Sequence, residues 1–182
     1  MADFLIEDRY YTLPEVNYCC VEEQTVALSA SVKKKINISR KVLDDAVKSG
    51  KVIYGVNTGF GKLSQISIPD KQINQLQRNL LLSHSAGVGD PAPEIIVKMM
   101  LLLKIISFTQ GYSGVRMILV EKLVELYNSG CIPLIPCQGS VGASGDLAPL
   151  SHMSLPLIGE GEVIFKGNCS NAQNILPEIG FE

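Results

Sequence analysis

The chain has 182 residues, a formal net charge of −2, 46% hydrophobic residues and 19% charged ones. That length builds one domain with a real core, and the near-neutral balance gives no electrostatic reason to expect nucleic acid or a membrane as partner. Charged residues fall below the usual quarter, so part of the apolar surface is expected to be covered by further protein.

Residues 3–11 predict a short strand. Thr12 then caps a brief helix running to Cys20, with Pro14 in its first turn. Residues 22–28 suit a second strand. Ser29 is placed to cap a helix that reaches Ser49, with a possible break near Asn37 and a stop at Gly50. Lys33-Lys34-Lys35 in that helix reads as a solvated face rather than a binding patch.

Residues 51–67 are of another kind. Val52, Ile53 and Tyr54 lead into a loop containing Gly55, Gly59 and Gly61. Such a tyrosine is either a packing residue with a polar handle or a functional group at the loop's entrance. Pro69 and Asp70 open the next helix, with Ile73, Leu76, Leu80 and Leu81 on one face and His84 following on that face. His84 is either a buried ring with a satisfied hydrogen bond or a ring turned into a cavity beside Tyr54.

Pro91 and Pro93 are read as the start of a helix that ends near Gly111. Its apolar stretch from Ile95 to Phe108 predicts a buried helix, too short to span a bilayer. Ser113 is read as the cap of another helix, burying Val115, Ile118, Leu119, Leu123 and Leu126 and stopping at Gly130. Pro133 and Pro136 force an extended segment. Further on come a strand at 162–165, a turn at Lys166-Gly167 and a last short helix capped by Ser170. The whole reads as mainly α, with a few short β-strands and glycine-rich loops. No internal repeat, metal-ligand spacing or low-complexity linker interrupts it. The five cysteines form no Cys-x-x-Cys pair, which suits reduced thiols in a cytoplasmic protein.

The most informative run is Gly139-Ser-Val-Gly-Ala-Ser-Gly-Asp-Leu-Ala-Pro-Leu-Ser-His152. Runs of small residues are commonly turns. Ala143-Ser144-Gly145 also permits a second chemistry. If the Gly145 nitrogen attacks the Ala143 carbonyl carbon, a five-membered ring closes, and loss of water turns Ser144 into an exocyclic methylidene, a strong electrophile. Bulky side chains at 143 or 145 would block that approach, and glycine tolerates the backbone it needs. Asp146 and Pro149 suit a helix start, with Leu147, Leu150 and Met153 recurring at helical spacing until Pro156. The run then lies at the positive end of a helix, where developing negative charge is stabilised.

Two rival motifs fail. A hydrolase elbow requires Gly-x-Ser-x-Gly, but Asp146 stands in the last place. A phosphate-binding loop requires a glycine where Val56 stands and Ser or Thr where Leu63 stands.

Three runs, Tyr54-Gly-Val-Asn-Thr-Gly-Phe-Gly61, Leu80-Leu-Leu-Ser-His-Ser-Ala-Gly87 and Gly139-to-Pro149, resemble the aromatic amino acid ammonia-lyases, and within them the branch that acts on histidine. The resemblance covers nearly the whole chain from about Ile53, in the right order. It implies the helical N-terminal domain of the ammonia-lyase fold over residues 1–182. It further implies that Ala143, Ser144 and Gly145 become a 4-methylidene-imidazole-5-one, that Tyr54 is the base for the β-proton, and that Ser83-His84 bind the substrate imidazole. Gly61, Gly142 and Asp146 would shape the loops. The implied reaction is non-oxidative loss of ammonia from L-histidine to trans-urocanate, in a cytoplasmic homotetramer without a metal.

Relatives within the family act on tyrosine or phenylalanine as lyases or aminomutases; Ser83-His84 and Gly142 argue against them here. Family members are also much longer and build each site from several subunits. The chain is therefore expected to be an N-terminal portion without the downstream long-helix region, inactive alone and uncertain to close the ring. A non-catalytic relative acting through subunit association is the remaining alternative.

Overall fold

Helix α4 (Glu94–Thr109) runs through the middle of the core, because Val97, Leu101, Leu102 and Ile105 recur on one face and are all buried. The structure, a computed structural model, describes residues 3–58, 68, 70–139 and 147–181. Against α4 pack α1 (Leu13–Val21), α2 (Ala30–Lys48) and α5 (Met117–Asn128). The run from Ile95 to Phe108 is not buried all round, as its sequence suggested: Ile95, Ile96 and Leu103 stand exposed on the other face. Leu102 is fully buried, so Leu102→Ala should destabilise the chain by about 2–5 kcal/mol, read as a lower urea midpoint.

The predominantly helical architecture agrees with the sequence reading. β1 (Phe4–Ile6) and β2 (Val26–Leu28) pair in parallel, which requires a crossover, and α1 supplies it. Thr12 caps α1 in a capping box: its hydroxyl accepts from the Glu15 amide, while the Glu15 carboxylate accepts the Thr12 N–H at 2.8 Å. These bonds from Thr12, with Arg9 alongside, hold the Glu15 carboxyl down at about 2. At the end of α5 the Asn128 amide imitates a strand neighbour. Its Oδ1 accepts the Val26 N–H at 2.8 Å, and its Nδ2 donates to the Val26 carbonyl at 2.9 Å.

Several boundaries differ from expectation. α2 is continuous through Asn37, whose side chain sits in solvent, and Ser29 occupies its N-cap position with its hydroxyl against Ser31 instead of the backbone. α5 starts at Met117 with Arg116 at its N-cap. Ser113 does not cap it, because residues 113–116 are a loop tied to α2, where Ser39 Oγ accepts the Gly114 N–H at 3.0 Å. Four successive apolar residues, 117–120, leave the phase of that helix ambiguous in sequence. Val120 and Tyr127 are buried, whereas Ile118 is 49% exposed.

Pro91 begins no helix. It ends β3 (Val88–Pro91), where a residue without an N–H is tolerated at an irregular edge pairing. The partner is β5 (Pro136–Gln138), antiparallel, with Val88 opposite Gln138. β4 (Ile132–Pro133), β6 (Glu162–Phe165) and β7 (Asn168–Asn171) form a second antiparallel sheet in the order β4-β6-β7. Lys166 and Gly167 make its tight turn as read. Ser170 belongs to β7, and Asn171 occupies the N-cap position of α7 (Ala172–Ile175).

Candidate active site

Residues 51–58 fold into a turn whose polar side chains point inward. Asn57 Oδ1 accepts the Ile53 N–H at 2.8 Å, Asn57 Nδ2 donates to the Lys51 carbonyl at 2.9 Å, and Thr58 Oγ1 accepts the Gly55 N–H at 3.2 Å. Asn57 and Thr58 are buried. Short polar side chains that bond their own backbone favour such turns. Tyr54 opens the turn and is 62% exposed, so it is no core residue.

The turn is fastened to α3 (Asp70–His84), whose Gln77 Nε2 donates to the carbonyls of Gly55 and Val56, both at 3.2 Å. His84 is the last residue of α3. Its Nδ1 lies 2.8 Å from the Leu80 carbonyl, which can only accept, so Nδ1 is the donor of that bond. Ser83 Oγ lies 3.1 Å from that Nδ1 and donates to the same carbonyl at 3.2 Å. His84 thus has the hydrogen bond of one reading and lines a cavity, but among the described residues that cavity is not lined by the Tyr54 turn that the other reading placed beside it.

That cavity has a volume of about 240 Å³ and lies between α3, α4, α5 and α6 (Leu147–Ser154). Gln77, Leu80 and His84 line it from α3, Phe108 from α4, Leu123 from α5 and Leu147 from α6. Leu147 is 46% exposed and faces this space rather than a closed core, while Ala148 and Met153 supply the buried face of α6. The α-helix ends at Ser154, and Pro156 lies in the 3-10 turn that follows. Tyr54 is not among the cavity's lining residues; Gln77 links its turn to them. Gly61, Gly142, Ala143, Ser144, Gly145 and Asp146 lie outside the described residues.

Sequence reasoning missed Gln77, Asn57 and His152. The signal for Asn57 was present in Gly55-Val-Asn-Thr, a pattern of turn residues. Nothing local marks Gln77 or His152, because their partners are distant in the chain. His152 Nε2 accepts the Gly87 N–H at 3.0 Å. Burial pushes the His152 pKa down from the ordinary value near 6.5, favouring the neutral ring that this bond requires. With the folded value depressed, the unfolded chain binds the extra proton first as pH falls. The contribution of His152 to stability is therefore complete above pH 6.5 and declines as pH drops through the depressed folded value. Urea midpoints should fall across that window, and less so in His152→Gln.

Among the described residues no cluster of His, Cys, Asp or Glu could hold a metal ion, and no helix is long and apolar enough to cross a membrane.

The described architecture is one of helices packed beside a tyrosine-bearing turn, and comparison with known proteins gives it a family. The aromatic amino acid lyase family model matches residues 11–182, and the chain belongs to that family. It is 46% identical over its whole length to a histidine ammonia-lyase of Idiomarina loihiensis, covering 36% of that protein. A histidine ammonia-lyase of Streptococcus sanguinis is 44% identical over 97% of the chain, with 34% of its own length covered. Among solved structures, the histidine ammonia-lyase of Trypanosoma cruzi superposes on 98% of the chain, and on 35% of its own, with a TM-score of 0.87 and 35% identity. The chain spans about a third of the length of the curated relatives it matches.

Proposed function

We propose that this chain forms the N-terminal part of a histidine ammonia-lyase, which eliminates ammonia from L-histidine to give trans-urocanate. One observation carries the reading: a single helix, α3, holds the Tyr54 turn through Gln77 and presents His84 to a cavity also lined by Leu147, which follows Ala143-Ser144-Gly145-Asp146 in the chain. The relatives named histidine ammonia-lyase support the choice of substrate.

Residues 143–145 suit a methylidene-imidazolone by composition, since only small side chains leave room for the closing bond. The described chain enters them at Gly139, whose φ of 140° favours glycine and where a Cβ would lie 2.7 Å from Gly87 Cα. The ring supplies an electrophile for the amine of the substrate. Tyr54, open to solvent at the start of its turn, takes the β-proton. His84, whose Nδ1 lies 2.8 Å from the Leu80 carbonyl, binds the substrate imidazole in a cavity that Leu80 and Leu123 line with apolar side chains. Gly61, Gly142 and Asp146 shape the loops that bear these groups.

The same reading makes the working enzyme a cytoplasmic homotetramer. Exposed Ile38 and Val42 on α2 and Ile96 on α4 are surfaces that such an assembly would cover.

The test is a substrate panel on the chain joined to the region its relatives carry beyond it. Urocanate absorbance with L-histidine, and no product from L-tyrosine or L-phenylalanine, is the expected result. Products from either of those, or an isomerised β-amino acid, would replace this reading with a tyrosine or phenylalanine lyase or aminomutase. No product from any of them would make the chain a non-catalytic relative.

A further inference from the structure

We propose that His152 is a positioning residue that pins Gly87, just beyond Ser83-His84, to α6 on one described flank of residues 140–146, while the other flank packs on the same glycine; the functional part of this inference rests on the reading above. The first flank is Gly139, packed so closely on Gly87 that a Cβ at 139 would lie 2.7 Å from Gly87 Cα and 3.3 Å from the Ala86 carbonyl oxygen. Strand pairing sets this approach, with Val88 opposite Gln138. The second flank is α6, which begins at Leu147 and carries His152, whose Nε2 takes the Gly87 amide proton at 3.0 Å. Gly87 is enclosed by both: a Cβ there would meet His152 Nε2 at 3.0 Å and Pro136 Cβ at 3.2 Å.

Residues 86–88 are thus one anchor for two segments that are distant in sequence, and His84 ends α3 immediately before it. A shift at Gly87 moves the imidazole-binding pair and both ends of the cyclising segment together. Nε2 serves only as an acceptor here, so the role depends on a lone pair at that place rather than on the ring's bulk.

The test compares His152→Gln, whose amide oxygen can accept at similar reach, with His152→Phe, which keeps the bulk without an acceptor. Circular dichroism confirms folding, and His152→Leu replaces the Phe variant if that one does not fold. The chain has only two histidines, so either variant leaves His84 as the sole imidazole signal in NMR spectra. In the wild type and His152→Gln, the Gly87 amide should exchange slowly, and in the Gln variant the His84 signal should stay where the wild type has it. In folded His152→Phe, exchange at Gly87 should quicken about tenfold, the scale of one hydrogen bond. The His84 signal should move, and the fraction of molecules lacking two waters should fall. A folded Phe variant with Gly87 still protected and His84 unmoved overturns the proposal, as does a Gln variant that behaves like Phe. Both waters kept in the wild-type chain joined to the region its relatives carry beyond it would count against ring closure, and hence against the proposed chemistry; the Gly87 and His84 signals still decide the positioning role.

Discussion

Ser144→Ala is expected to reduce ammonia release from L-histidine by at least about a thousandfold, the scale of removing a covalent catalyst, with no loss of thermal stability. The reason is specific to the hydroxyl. Closing Gly145 nitrogen onto the Ala143 carbonyl expels one water from the backbone, and the exocyclic methylidene then requires a second water from the Ser144 side chain. Alanine has no hydroxyl to lose, so the electrophilic carbon cannot form even if the backbone closes. The assay is urocanate absorbance on the chain joined to the region its relatives carry, paired with intact mass. A variant that still releases ammonia at the wild-type rate would separate the tripeptide from the chemistry.

Tyr54→Phe comes next in size. Losing a general base typically costs about 10²–10⁴-fold in turnover, and the effect should fall on kcat with little change in KM, because the hydroxyl acts on the β-carbon and not on the imidazole. Tyr54 is 62% exposed, and the turn that carries it is held by Asn57, Thr58 and Gln77. The variant should therefore melt like the wild type. An equal loss in kcat together with a lower melting temperature would instead make Tyr54 a structural part of the turn.

Much of this was legible from residues alone, and the reason is locality. The Thr12 cap, the Lys166-Gly167 turn and the extended path through Pro133 and Pro136 depend on near neighbours, and the structure has them where the pattern placed them. Family membership was legible for the same reason: its three runs are continuous in the chain. What failed was what neighbours cannot decide. Pro91 looked like a helix start because two prolines preceded an apolar run; its pairing with Pro136, far along the chain, makes it a strand residue. The four apolar residues at 117–120 fit more than one helix phase until packing against α4 selects Val120 over Ile118. In the candidate site, Tyr54 and His84 stood out as chemistry-bearing residues, but the groups that place them did not. Gln77 reaches back to Gly55 and Val56, and His152 reaches back to Gly87; neither contact has any trace in local spacing.

Mass spectrometry of the chain joined to the region its relatives carry beyond it, intact and after peptic digestion, tests the central claim most directly. The account predicts a mass short by two water molecules, with the whole deficit confined to the peptide that spans residues 139–147. A chain of unmodified mass, or a deficit in any other peptide, would contradict it.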